Sequence, residues 1–133
     1  MQIDIVNLIH VDSVWEHVGP KFQRAFEKAG DDLTTGELWQ LCRSGNAFLI
    51  IAFEGDDILM ATVARFERWG EGLVLRVMSL CGERLKEWAG PWEAFMRTMA
   101  KDNGAGRIVA EGREWGAVFK DAKKLRSTFT MRV

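Results

Sequence analysis

Leu73-Val74-Leu75-Arg76-Val77-Met78-Ser79-Leu80, followed by Cys81-Gly82, an amphipathic stretch containing Gly90-Pro91, a glycine at 104, and Arg107-Ile108-Val109-Ala110, is the succession that decides the fold. The first run is an apolar strand and Gly82 marks a turn. Trp92, Phe95, Met96 and Met99 then recur at helical spacing, Gly104 stops the helix, and the last run is a second short strand. The helix is expected to open at Gly90-Pro91, because proline is tolerated in a first turn. With a crossover helix of this length, the two strands of a β-turn-α-β unit are expected to be parallel and the connection right-handed. Where such strands splay, main-chain N–H groups and the positive end of the helix face the gap, which suits an anionic ligand.

Upstream, Ile3, Ile5 and Leu8-Ile9 read as a first strand. A helix capped by Asp12 or Ser13 follows, with Val14, Trp15, Val18, Phe22, Ala25 and Phe26 as its apolar stripe. Gly19-Pro20 should break it into two pieces with a kink. After the loop Gly30-Asp31-Asp32, Thr34 and Glu37 have the spacing of a capping box and Leu33 and Leu38 that of a hydrophobic staple, so a short helix carrying Leu38, Leu41 and Cys42 should end at Ser44-Gly45-Asn46. Ala47 to Phe53 is a continuous apolar run and reads as a central strand. Glu54-Gly55-Asp56-Asp57 makes a hairpin into Ile58 to Phe66, and Trp69-Gly70-Glu71-Gly72 turns into the Leu73 strand, which gives an antiparallel meander. Downstream, Trp115, Val118 and Phe119 suggest a helix to about Lys123, and Phe129 and Met131 alternate in a final strand from Thr128 to Val133.

At 133 residues, with 47% hydrophobic side chains, the chain is expected to form a single domain over residues 1–133 with one core. No apolar run approaches the roughly 20 residues that span a membrane, and Met1-Gln2-Ile3-Asp4 lacks the features of a signal peptide, so a soluble cytoplasmic protein is expected. Cys42 and Cys81 lack the paired spacing of a zinc site, and His10 and His17 have no acidic or cysteine partner at metal spacing, so no metal is expected. The net charge of −1 argues for neither nucleic acid nor membrane. It is unevenly spread: residues 1–100 carry 10 Lys/Arg and 15 Asp/Glu, residues 101–133 carry 8 and 4. The basic cluster Lys120, Lys123, Lys124 and Arg126 reads as a solvated helix end or as an anion patch. No aromatic residues alternate with it as a single-strand binding surface would require.

The order β-α-α-β-β-β-α-β-α-β resembles that of the GCN5-related N-acetyltransferases (GNAT), an α/β fold with a mixed, mainly antiparallel central sheet flanked by helices and a splayed parallel pair around residues 73–111. Gly82-Glu83-Arg84-Leu85-Lys86-Glu87-Trp88, Ala100-Lys101-Asp102-Asn103-Gly104 and Ile108-Val109-Ala110-Glu111-Gly112-Arg113-Glu114-Trp115 look like the small acetyltransferase-like proteins of tailed-phage and prophage genomes. The likeness covers roughly residues 35–133. It implies acetyl-CoA or another acyl-CoA as donor and a small-molecule or protein amine as acceptor. By the same resemblance, main-chain groups at Val77, Met78, Ser79 and Leu80 would hold the pantetheine arm. The turn from Gly82 to Gly90, with Arg84 and Lys86, would face the pyrophosphate. The family's Gly-x-Gly or Gly-x-Ala pyrophosphate signature is absent from this turn. The tyrosine that many members use to protonate the departing thiolate is absent too, since the chain has no tyrosine; water, Cys81 or Ser79 would have to serve. Glu67 is the candidate general base, with Glu54 and Glu111 behind it. The resemblance leaves two readings open: an acyl-CoA N-acyltransferase, or a catalytically inactive accessory or virion-associated binding protein on the same fold. A phage-encoded chain would reside in the host cytoplasm or the virion.

Overall fold

A computed structural model describes residues 1–28, 32–111 and 115–133. Five strands form one sheet in chain order: β1 (Gln2–Ile5), β2 (Phe48–Glu54), β3 (Asp57–Trp69), β4 (Gly72–Gly82) and β5 (Arg107–Ala110). The first four run antiparallel to their neighbours, and β4 and β5 are parallel. Among the described residues, three α-helices flank the sheet: α1 (Val11–Lys28), α2 (Thr35–Arg43) and α3 (Leu85–Asp102). Side chains alternate across β2 and β3, so each face of the sheet gains its own apolar layer. Leu49, Ala61, Val63 and Cys81 pack with Val11, Val18 and Phe22 of α1 and Leu38 and Cys42 of α2. Ile50, Met60, Ala64, Leu75, Val77 and Leu80 pack with Trp88, Trp92, Met96 and Met99 of α3, with Phe95 half-buried at the margin.

The meander, the capping box and the β-turn-α-β unit stand as the sequence implies. Gly55 and Asp56 form the first hairpin turn, between the paired Glu54 and Asp57, and Gly70 and Glu71 the second, between Trp69 and Gly72. Other boundaries differ. β1 stops at Ile5, and Leu8–His10 form a 3-10 turn whose Ile9 N–H donates to Asn7 Oδ1 at 3.1 Å. Asp12 and Ser13 lie inside α1 and do not cap it: the Asp12 carboxylate accepts from Trp39 Nε1 at 2.8 Å, and Ser13 Oγ donates to His10 O at 3.0 Å. The expected break at Gly19-Pro20 does not occur, since α1 runs through Pro20 as one helix. Proline removes a single helical hydrogen bond there, while Val18 and Phe22 on either side of it are fully buried and hold the helix together.

The same override acts in α3, which begins at Leu85 with Pro91 inside it. Trp88 and Trp92, four residues apart on one face, are both buried and fix the helix one turn before the proline. The last helix and strand are not formed. Among the described residues after β5 there is only a 3-10 turn at Trp115–Ala117, and residues 128–133 adopt no strand. Trp115 stacks on Trp92 and Phe119 packs against it at a tilt, with ring centroids 6.1 and 5.3 Å away, and this packing stabilises a compact turn in place of a helix. The Gly30-Asp31 part of the first loop and the Gly112-Arg113-Glu114 turn lie outside the described residues. No helix among the described residues is long and apolar enough to cross a membrane.

Candidate active site

The site begins where β4 and β5 part. They pair from Val74↔Arg107 to Val77↔Ala110, and β4 then continues to Gly82 without β5 beside it. On its other edge, β4 pairs Val77 with Ala64 and Ser79 with Val63, so Met78 has no counterpart on β3. Met78 is therefore a β-bulge placed one residue beyond the end of the parallel pairing. A bulge re-aims the local backbone, and bulges are concentrated beside functional sites. Of the positions named from sequence, Val77 and Leu80 are buried towards α3, whereas Met78 packs half-buried towards α1 and α2. Ser79 O accepts a hydrogen bond from the fully buried Thr62 Oγ1 at 2.8 Å.

At the end of β4, Gly82 is required by the sheet. A Cβ there would lie 2.6 Å from Leu59 O and 3.0 Å from Met60 Cα, both main-chain atoms. Glu83 N donates to Leu59 O at 2.9 Å, and Glu83 O accepts from Trp88 Nε1 at 2.7 Å, which ties the turn to β3 on one side and α3 on the other. Arg84 follows with φ 57°, a left-handed conformation unusual for a non-glycine residue, and stands at the N-cap of α3 without a side-chain capping bond. Its guanidinium pairs with Glu87 at 3.0 Å, and Lys86 is exposed in the first helical turn. The turn is shorter than the Gly82-to-Gly90 span expected from sequence, so the positive helix end lies immediately after β4.

A charged network on the α1/α2 face reaches the same place. Arg76, just before the divergence, contacts Glu67 at 3.2 Å, Glu111 at 3.3 Å and Asp32 at 3.6 Å. Glu67 also accepts from Arg65 Nε at 2.7 Å and Trp69 Nε1 at 3.1 Å. Partial burial alone would push the Glu67 carboxyl up, but the hydrogen bonds from Arg65, Trp69 and Arg76, together with the Arg76 charge, hold it below the usual carboxylate range. Glu111 directly follows β5 and its side chain is 61% exposed. Glu54, the last residue of β2, lies beside the start of β3, at the end away from Glu67, and pairs with the Met1 amino group at 3.7 Å, so it does not join the cluster. Arg76 was not singled out from sequence. Its signal was present, as the one charged residue in the apolar run Leu73 to Leu80.

Cys42 is buried, and burial pushes its thiol up to about 12, which makes it an inert core side chain. His10 and His17 are exposed. Among the described residues, no group of His, Cys, Asp and Glu is arranged to hold a metal ion.

No sequence-family model and no curated protein matches the chain. Solved structures do. A ribosomal-protein-alanine N-acetyltransferase from Brucella melitensis biovar Abortus 2308 superimposes with a TM-score of 0.73 at 12% identity, covering 100% of both chains. A GNAT family acetyltransferase from Staphylococcus aureus gives 0.67 at 12% identity over 99% of this chain and 98% of that one. The chain has the GNAT fold. A further GNAT-fold neighbour, described as a "predicted acetyltransferase with acetyl-CoA" from Clostridium acetobutylicum, gives 0.71 at 13% identity over 98% of this chain and 95% of that one. At these identities the likeness establishes the fold and leaves the chemistry to be argued from this chain's own residues.

Proposed function

We propose that the protein is an acyl-CoA-dependent N-acyltransferase whose acceptor is an amine on a small molecule or a protein. The observation that carries this reading is the coincidence of three main-chain features: the parting of β4 from β5 after Val77, the bulge at Met78, and the start of α3 three residues beyond Gly82 without a side-chain cap. A helix end with uncapped N–H groups is suited to a pyrophosphate, with Arg84 and Lys86 adding charge. The β4 edge from Val77 to Leu80 is suited to an extended, amide-bearing arm. Gly82 contributes by letting β3 and β4 approach closely, which positions the turn.

The acyl donor supplies an activated carbonyl on a sulfur leaving group. A main-chain N–H near the Met78 bulge polarises that carbonyl as an oxyanion site does. The acceptor nitrogen forms the new C–N bond as the C–S bond breaks. Glu67, held ionised by its three donors, fixes the Arg76 guanidinium, which in turn pairs with Glu111 and positions its carboxylate. Glu111, exposed and at the end of β5, takes the amine proton through water. Water returns a proton to the departing sulfur, because the chain contains no tyrosine and Cys81 is buried.

Calorimetry and thermal unfolding with acetyl-CoA test the reading. A ligand that binds only the folded state raises the melting temperature. No heat and no shift at millimolar acetyl-CoA would leave a non-catalytic binding role on the same fold.

A further inference from the structure

Along the last part of β3, Ala64 and Phe66 pack towards α3, so the alternation of the strand turns Arg65, Glu67 and Trp69 to the α1/α2 face. There Arg65 borders a groove of about 740 Å³ between β3 and α2, whose walls include Leu33, Glu37, Gln40 and Leu41. Arg65 is the one cation among the described residues that line it. The one acid there, Glu37, is already bonded by Thr34 N and Thr34 Oγ1 in the cap of α2.

The Arg65 guanidinium is only partly engaged. Its Nε donates to Glu67 at 2.7 Å, and among the described residues Glu67 is its only side-chain partner. A guanidinium carries five N–H donors in a planar fork, so the outer edge of this one is left for an acceptor from outside, and the side chain is 33% exposed. The groove also leads to the proposed reaction centre. Arg65 and Arg76 face each other across β3 and β4, and both hold the Glu67 carboxylate. Arg76 also holds Glu111, the acceptor of the amine proton, and Asp32, which directly precedes the groove residue Leu33. A cation with donors to spare thus stands on β3 and an exposed carboxylate just beyond β5, with β4 between them. Neighbouring strands lie about 4.8 Å apart, which separates β3 from β5 by roughly 10 Å at the main chain.

We propose that the acceptor is a primary amine that also bears a carboxylate several bonds from the nitrogen, the carboxylate held by the outer edge of Arg65 and the amine delivered to Glu111. The assignment of the amine end rests on the acyl-transfer reading, whereas that of the carboxylate end rests on the groove alone. The bond changes are those already given, with C–N forming as C–S breaks. The carboxylate takes no part in them and acts through binding and orientation.

ε-Aminocaproate and hexylamine are amines of equal carbon count that differ only at the far end. With acetyl-CoA as donor, kcat/KM for ε-aminocaproate is expected to exceed that for hexylamine by about tenfold or more, chiefly through KM, because the Arg65 contact is made equally in the ground and transition states. Arg65→Ala should bring this ratio close to one. Gln40→Glu, an exposed change on α2 that adds a negative charge to the groove, should lower it. Without any donor, the protein should broaden the proton resonances of ε-aminocaproate, and Arg65→Ala should abolish the effect. Equal use of the two amines, or broadening that survives Arg65→Ala, would overturn this inference and leave acyl transfer standing. Broadening that is lost in Arg65→Ala while neither amine is acetylated would keep the carboxylate site and remove the transfer reading. Neither acetylation nor broadening would overturn both.

Discussion

Two helix beginnings in this molecule are built in opposite ways. α2 is closed by its own sequence: Thr34 Oγ1 accepts from Glu37 N at 3.1 Å, and Glu37 Oε1 accepts from Thr34 N at 3.3 Å. α3 starts from a left-handed Arg84 with no side-chain cap, held by Trp88 from within the helix and by β3 through Glu83 and Gly82. The first arrangement spends the N–H groups of Thr34 and Glu37 on each other's side chains. The second is fixed by tertiary contacts and has no side chain bonded over its first turn, which suits that end to an outside acceptor beside the place where β4 leaves β5.

The contrast is broken most severely at Trp88. Trp88→Ala should destabilise the domain by about 3–5 kcal/mol, since it opens a cavity against the sheet and releases Glu83 O; chemical denaturation measures this, and a loss under ~1 kcal/mol would mean that packing does not set the start of α3. Gly82→Ala should cost about 1–3 kcal/mol, because β3 must move away from a Cβ placed against its backbone. An unchanged midpoint there would show that the strands part freely. The combined Arg84→Ala and Lys86→Ala substitution should weaken acetyl-CoA binding about tenfold while leaving the unfolding midpoint nearly in place, because exposed charges contribute little to folding. Equal losses of affinity and stability would indicate that these residues serve the fold. Thr34→Ala should cost about 1 kcal/mol without altering acetyl-CoA affinity, and an effect on affinity would contradict the separation of the two helix ends.

The cap of α2 was legible in the sequence because a capping box needs only residues three apart, and the hairpins because a turn and its flanking alternation are equally local. The parallel β4–β5 pair followed from the length of the connection between them. The break assigned to Gly19-Pro20 and the helix start assigned to Gly90-Pro91 misjudged a competition: one hydrogen bond lost at proline was outweighed by the burial of Phe22 in α1 and of Trp88 and Trp92 in α3. A long-range contact of that kind leaves no local trace.

The candidate site divides the same way. The stretch Val77 to Leu80 and the basic pair Arg84 and Lys86 were marked by the apolar strand, the turn and the family likeness. The grouping of Arg76 with Glu67, Glu111 and Asp32 came from elements far apart in the chain. By itself the sequence determined the element types between Val11 and Ala110, the meander and the fold to which they belong, since periodicity and turn chemistry are properties of neighbouring residues. Only the tertiary structure decided where α3 begins, that Met78 is bulged and that Glu67 is clamped by three donors. It also decided that the strand-like tail has no place in its own sheet, because a strand's hydrogen bonds must come from a partner that the sequence of one segment cannot name.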